Sequence, residues 1–256
     1  MQCRYVGDVG DFGKYGLLRA LMLPSTPDEP SLGVVWYLVP NHGPAGDGRY
    51  TDYLKDKNAG RFRPCDPLLF DCLKEIVDSD RRCVESIEQA GFLPAKYYSR
   101  KLTFKDTPLD ERSAWRQAWL RGAVERVRAC QIVFVDPDNG LEVKSASRHS
   151  KKGTKYVYYD ELCDYVSQNQ SVVVYQHMPH ESPYVYVRRR VKELRENLKI
   201  RGALWALLWH PYSPRVYFII PNGREAVLRP RIKAMLMGPW GQDRPEGPHF
   251  EPVLFP

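Results

Sequence analysis

Ile132-Val133-Phe134-Val135-Asp136-Pro137-Asp138-Asn139-Gly140-Leu141-Glu142-Val143-Lys144 is the stretch that decides the fold. Its apolar opening, Ile132 to Val135, suits a strand buried on both faces, and it stops abruptly at the polar turn from Asp136 to Gly140. Polar groups therefore collect at the carboxyl end of one strand, where open α/β sheets place their ligands. Asp136, Asp138, Glu142 and Lys144, with Pro137 and Asn139 between them, share a small volume beside a glycine turn, and such crowding of charge marks sites of chemistry. The same residues also suit a plain Asx turn, in which Asp and Asn bond nearby backbone amides.

Upstream, Leu32 to Val39 reads as another buried strand, and it runs into Pro40-Asn41-His42-Gly43-Pro44-Ala45-Gly46-Asp47-Gly48. A strand feeding such a glycine-bearing loop suits a nucleotide-like ligand. Phe12 to Leu23 reads as a short amphipathic helix, and Leu68 to Ala90 and Ser113 to Ala129 as two more. Downstream, strands are expected at Ser171 to Gln176, Leu204 to Trp209 and Arg215 to Ile220, with helices at Asp160 to Ser167 and Tyr184 to Leu198. This alternation predicts an α/β fold with a Rossmann-like, mostly parallel sheet of about seven strands. The link from His210 to Pro214 is too short for a helical crossover, so the last two strands should form an antiparallel hairpin. The expected organisation is one α/β unit over residues 1–240, with a helical insertion at about 55–128 and an extended tail over 241–256.

The 256 residues are 43% apolar and 12% aromatic, enough for a sizeable core. A net charge of +7, with clusters at Arg188-Arg189-Arg190, Arg148 to Lys152 and Arg229 to Lys233, favours anionic partners, nucleic acid first. The six cysteines lack CxxC spacing and are expected to be reduced and mostly buried. No apolar stretch approaches the ~20 residues of a membrane span, so no membrane partner is expected. Asp8 and Asp11 so near the start break a signal-peptide pattern, and the expected setting is cytoplasmic.

Several motifs together resemble a known family. Gly7-Asp8-Val9-Gly10-Asp11-Phe12-Gly13-Lys14-Tyr15 resembles its opening segment of glycine, acid and lysine, with Asp11 and Lys14 matching. His42-Gly43-Pro44-Ala45-Gly46-Asp47-Gly48-Arg49-Tyr50 resembles its THAGxGxY-like loop with residues inserted, and Asp136-Pro137-Asp138-Asn139 stands where its DPPY tetrapeptide falls. Val172 to Pro179 and Val216 to Pro221 sit where it has strands ending in proline. The chain is thus similar to class I S-adenosylmethionine-dependent methyltransferases, and resembles most the bacterial large-subunit ribosomal RNA adenine-N6 methyltransferases of the RlmJ type. The resemblance implies S-adenosylmethionine as cofactor, held by Asp11, Lys14, Asn41, His42, Gly43, Gly46, Asp47 and Gly48, and an RNA or DNA base as methyl acceptor. It makes Asp136 the acceptor for the base amino group and Pro137 the holder of a backbone carbonyl. Asp138 and Asn139 replace the second proline and the aromatic, so a stacking face would come from Tyr15, Tyr50 or Tyr175.

The residues alone support a different chemistry. Asp136, Asp138 and Glu142 are hard oxygen donors, and with Lys144 they suit Mg2+ or Mn2+ in a metal-dependent nuclease. Asp8, Asp11, His177 and His180 would add ligands or a proton donor. A third reading is a nucleic-acid-binding module without turnover. All three put the site over the carboxyl edge of the sheet, lined by Asp11, Lys14, Asn41, His42, Gly46, Asp136, Asp138 and His177.

Overall fold

The computed structural model describes residues 1–22, 31–43 and 48–255. Helix α1 (Val9–Met22) leads to strand β1 (Leu32–Trp36), then helices α2 (Asp56–Phe62), α3 (Pro67–Asp78) and α4 (Val84–Gln89), strand β2 (Lys96–Tyr98) and helix α5 (Arg112–Val127). The middle of the chain forms β3 (Ile132–Asp136), the short β4 (Gly140–Leu141) and β5 (Tyr156–Val157), helix α6 (Tyr159–Ser167), β6 (Ser171–His177) and helix α7 (Pro183–Leu198). Strands β7 (Trp205–Trp209) and β8 (Arg215–Ile220), helix α8 (Glu225–Met237) and strand β9 (Phe250–Leu254) complete it.

Seven strands make one sheet in the order β2-β1-β3-β6-β8-β7-β9, and β4 and β5 pair separately. The β2-β1-β3-β6 half is parallel, whereas β8 runs antiparallel to both β6 and β7, and β9 antiparallel to β7. The fold is therefore α/β with a Rossmann-like sheet, and the hairpin expected across His210 to Pro214 is present.

Alternation along the strands builds two cores. Val34, Trp36, Ile132, Phe134, Val173, Leu207 and Tyr217 meet α1, α3 and α8 on one face, through residues such as Leu17, Leu73 and Ile232. Val35, Val133, Val135, Val172, Val174 and Phe218 meet α5, α6 and α7 on the other, through Trp119, Leu162 and Leu194. Covering both faces explains why β1, β3, β7 and β8 are buried at every position and read as unbroken apolar runs.

Four elements differ from the sequence reading. The stretch from Leu68 to Ala90 is two helices, broken where Asp80 takes a positive φ. The region read as a helical insertion carries β2, a three-residue edge strand too short to show alternation. Helix α8 was hidden by Pro230 inside it, which by itself signals a break. The Pro-rich tail contributes β9, where Pro252 is tolerated at the sheet edge beside a register shift in β7. Of the six cysteines, all free, only Cys130 is buried and the others are partly exposed. No helix among the described residues is long and apolar enough to cross a membrane.

Candidate active site

The chain reverses strand order at β1 and β3: β2 lies to one side of β1, and β3 with everything after it to the other. Such a switch point leaves a crevice outside the carboxyl ends of the strands. A cleft of about 430 Å3 lies there, and its lining includes Asp8, Asp11 and Lys14 of the α1 region, His42, Gly43 and Gly48 after β1, and the run from Asp136 to Asn139 after β3.

Helix α1 is built to carry charge into this cleft. Asp8 Oδ1 accepts hydrogen bonds from the backbone N–H groups of Gly10 and Asp11 at 2.8 and 3.0 Å, capping the helix. One turn on, Lys14 Nζ donates to Asp11 Oδ1 at 2.7 Å and to Asp136 Oδ2 at 2.8 Å. The ammonium also faces the rings of Tyr15, Trp36 and Tyr175 at 5.6, 5.8 and 5.5 Å from their centroids. All three charged side chains are buried, so the lysine bridges two carboxylates that could not otherwise stay ionised there. Burial lowers the Lys14 pKa, but the attraction of Asp11 and Asp136 outweighs it and holds the group charged above its ordinary value.

The polar turn after β3 is fixed as firmly. Gly140 has φ +117°, and a Cβ there would stand 2.4 Å from Gln176 Oε1, so only glycine fits. Gln176 in β6 accepts from Leu141 N at 2.9 Å and donates to Asn139 O at 3.0 Å. Asp138 Oδ2 accepts from Gln2 Nε2 at 2.8 Å and lies 3.4 Å from Lys155 Nζ. Its other oxygen, Oδ1, is buried with no hydrogen-bond partner, the Met1 nitrogen standing off at 3.8 Å. Burial pushes the Asp138 carboxyl up, but the Met1 nitrogen, Gln2 and Lys155 together hold it below its ordinary value. An ionised acceptor oxygen without a donor costs about 1–3 kcal/mol or more, which a ligand's N–H or O–H would recover.

No protein-family model and no curated protein matches this chain.

Of the residues picked out in the sequence, Asp11, Lys14, His42, Gly43, Gly48, Asp136, Pro137, Asp138 and His177 line the one cleft. Asn41 stands outside it, its Oδ1 accepting from Arg4 N at 3.2 Å. Gly46 and Asp47 lie outside the described residues. Glu142 and Lys144 are not in the cleft lining: β4 carries the chain away towards β5, Glu142 Oε1 accepts from Tyr159 N at 2.8 Å in the first turn of α6, and Lys144 is exposed. Asp136, Asp138 and Glu142 therefore do not converge. Among the described residues, no three His, Cys, Asp or Glu side chains gather as a metal ion would need.

Sequence reading missed Arg215, Lys155 and Gln2, which also line the cleft. Arg215 donates to the Tyr175 hydroxyl at 3.2 Å and to Ser213 O at 2.7 Å, and lies 3.8 Å from Asp8. Its signal was present, a lone cation opening an otherwise apolar strand after a short turn on this edge. The basic clusters divide differently from expectation. Arg190 is buried and donates to the Leu141 and Glu142 carbonyls, Arg189 pairs with Glu181 and Arg148 with Asp160, so three arginines of these clusters have structural partners.

Proposed function

We propose that the cleft is the active site of an S-adenosylmethionine-dependent methyltransferase that acts on the amino group of a nucleic-acid base. The observation that carries this reading is the meeting of the Asp136-Pro137-Asp138-Asn139 turn and the loop after β1 in one polar cleft at the switch point. Its volume of about 430 Å3 suits a cofactor-sized ligand, since small-molecule sites run roughly 300–1,000 Å3. The buried, unpartnered Asp138 oxygen supplies the kind of acceptor that an amino group needs.

In this reading His42, Gly43 and Gly48 border the cofactor, which supplies an electrophilic methyl group when bound. Asp138 accepts a hydrogen bond from the base amino group and keeps the nitrogen lone pair directed at the donor. Asp136, whose Oδ2 already accepts from Lys14, acts as a positioning residue that anchors α1 against the end of β3. Loss of one hydrogen bond to a charged group costs about 1.5–3 kcal/mol, so Asp138→Ala should slow transfer roughly ten- to a hundredfold. Labelled methyl incorporation from S-adenosylmethionine into RNA and DNA tests this. Metal-dependent hydrolysis is less favoured, because Glu142 and Lys144 do not join the cleft.

A further inference from the structure

Two tyrosines on the cleft's rim stand out among the exposed side chains. Tyr50 lines the cleft, and Tyr212 sits in the turn between β7 and β8 beside Ser213 and Arg215, which line it too. Their rings touch, with centroids 5.6 Å apart and planes at 49°. Each nevertheless leaves 49% of its surface to solvent.

Their backbones hold them there. Tyr50 O accepts from Val9 N at 2.9 Å, which ties the residue to the start of α1. Tyr212 has φ +62°, a left-handed conformation that a bulky residue seldom adopts, in a turn bracketed by Pro211 and Pro214. Ser213 N donates to Pro211 O at 2.8 Å and closes that turn. Strained non-glycine residues of this kind concentrate at ligand sites. Glycine or asparagine would relax the backbone here but would supply no ring. Charges of both signs lie nearby: Arg49 is exposed next to Tyr50, and Asp52 and Arg61 both act on the Tyr212 hydroxyl, the acid more strongly.

We infer that Tyr50 and Tyr212 form a stacking platform that receives an unpaired nucleobase at the mouth of the cleft. The inference rests on the proposed reading of the cleft and specifies its substrate as a base presented by a single strand or extruded from a duplex. Aromatic platforms bind such bases with little sequence preference, because every base offers a π face. The Asp136-Pro137-Asp138-Asn139 turn carries no aromatic, Tyr15 and Tyr175 are buried around Lys14, and Tyr5 in the cleft lining is only partly exposed, so Tyr50 and Tyr212 are the more open aromatic face at this mouth.

The test is the affinity of a short single-stranded adenine oligonucleotide, and of an abasic strand with the same phosphates, for wild type, Tyr50→Ala, Tyr212→Ala and Tyr212→Phe. Binding of S-adenosylmethionine is measured in parallel. Stacking loses about 1–3 kcal/mol per base on truncation to alanine, so each alanine variant should bind the adenine strand roughly five- to a hundredfold more weakly. Tyr212→Phe should bind like wild type, and the abasic strand should bind weakly and equally to all four. Equal affinity of wild type and the alanine variants for the adenine strand would overturn the inference. So would a wild type that does not distinguish the two strands, or a loss confined to S-adenosylmethionine, which would assign the rings to the cofactor. If the alanine variants lose the adenine strand while S-adenosylmethionine binds to none of the proteins, the platform stands and the methyl-transfer reading fails.

Discussion

Lys14 is the residue on which the cleft depends, because its ammonium is the shared counter-charge of Asp11 and Asp136. Removing one partner of a buried ionic group costs about 3–5 kcal/mol, since the charge left behind keeps its desolvation penalty. Lys14→Met should therefore destabilise the protein by about that amount in denaturant unfolding, and Lys14→Met combined with Asp136→Asn should be less damaging than the two effects added. A loss below about 1 kcal/mol for Lys14→Met would mean that the carboxylates find other partners. His249 is a second buried residue with a testable charge. It lies against the rings of Phe62 and Trp209, and burial, opposed in part by the hydrogen bond with the Arg61 carbonyl and reinforced by the Arg244 charge, pushes its pKa down to about 4. The unfolded chain then takes up a proton near pH 6.5 that the folded chain refuses until about pH 4. Stability from this group is complete above pH 6.5 and falls as the pH drops to 4, by about 3 kcal/mol in all. Chemical unfolding across that range should show the slope in wild type and lose this part of it in His249→Phe; identical slopes would contradict the assignment. The depressed Asp138 carboxyl acts in the same direction at lower pH, its contribution being lost as the pH falls through its folded value.

Among the elements, α1 shows how a sequence pattern can be visible while its cause is not. Gly7, Gly10, Gly13 and Gly16 recur every third residue, which alone argues against a helix, since each interior glycine costs about 1 kcal/mol relative to alanine. The tertiary structure explains the three that lie inside α1. A Cβ at Gly10 would stand 2.4 Å from Arg215, at Gly13 2.6 Å from the Trp209 indole, and at Gly16 2.3 Å from Trp240. The bare face lets α1 lie close to its neighbours and brings Lys14 within reach of Asp136 in β3 and Asp8 near Arg215 in β8. Gly13→Ala should thus destabilise by about 1–3 kcal/mol in spite of its better helix propensity, because the fully buried Trp209 ring has nowhere to move. A thermal unfolding midpoint equal to or above that of wild type would show that the contact is not tight. Strands β1, β3, β6, β7 and β8 were legible because burial on both faces leaves unbroken apolar runs. Strands β2 and β9 were not, since a three-residue edge strand and a proline-bearing one depend on a neighbour already in place. At the site, Asp11, Lys14, His42, Asp136, Asp138 and His177 line the cleft expected over the carboxyl edge, whereas Asn41 lies outside it. Glu142 and Lys144 were not, because the departure of β4 towards β5 is set by Gln176 and Arg190, more than thirty residues away in sequence.

Over the whole molecule, strand order matters more than composition. The switch between β1 and β3 assembles groups from α1, the loop after β1, the turn after β3, the end of β6 and the start of β8 around one cleft. The net charge of +7 already counts every acid, so pairs such as Arg189 with Glu181 and Arg148 with Asp160 fix where the charge sits rather than how much there is, and binding to the proposed polynucleotide should weaken with salt. The most direct measurement is transfer of a labelled methyl group from S-adenosylmethionine to single-stranded RNA and DNA by wild type, Asp138→Asn and Asp138→Ala, followed by identification of the modified nucleoside. The expected result is a methyl group on an exocyclic amino nitrogen, partial transfer by Asp138→Asn, which keeps an acceptor oxygen, and a roughly ten- to a hundredfold loss in Asp138→Ala. No incorporation by wild type, or equal incorporation by wild type and Asp138→Ala, would contradict it.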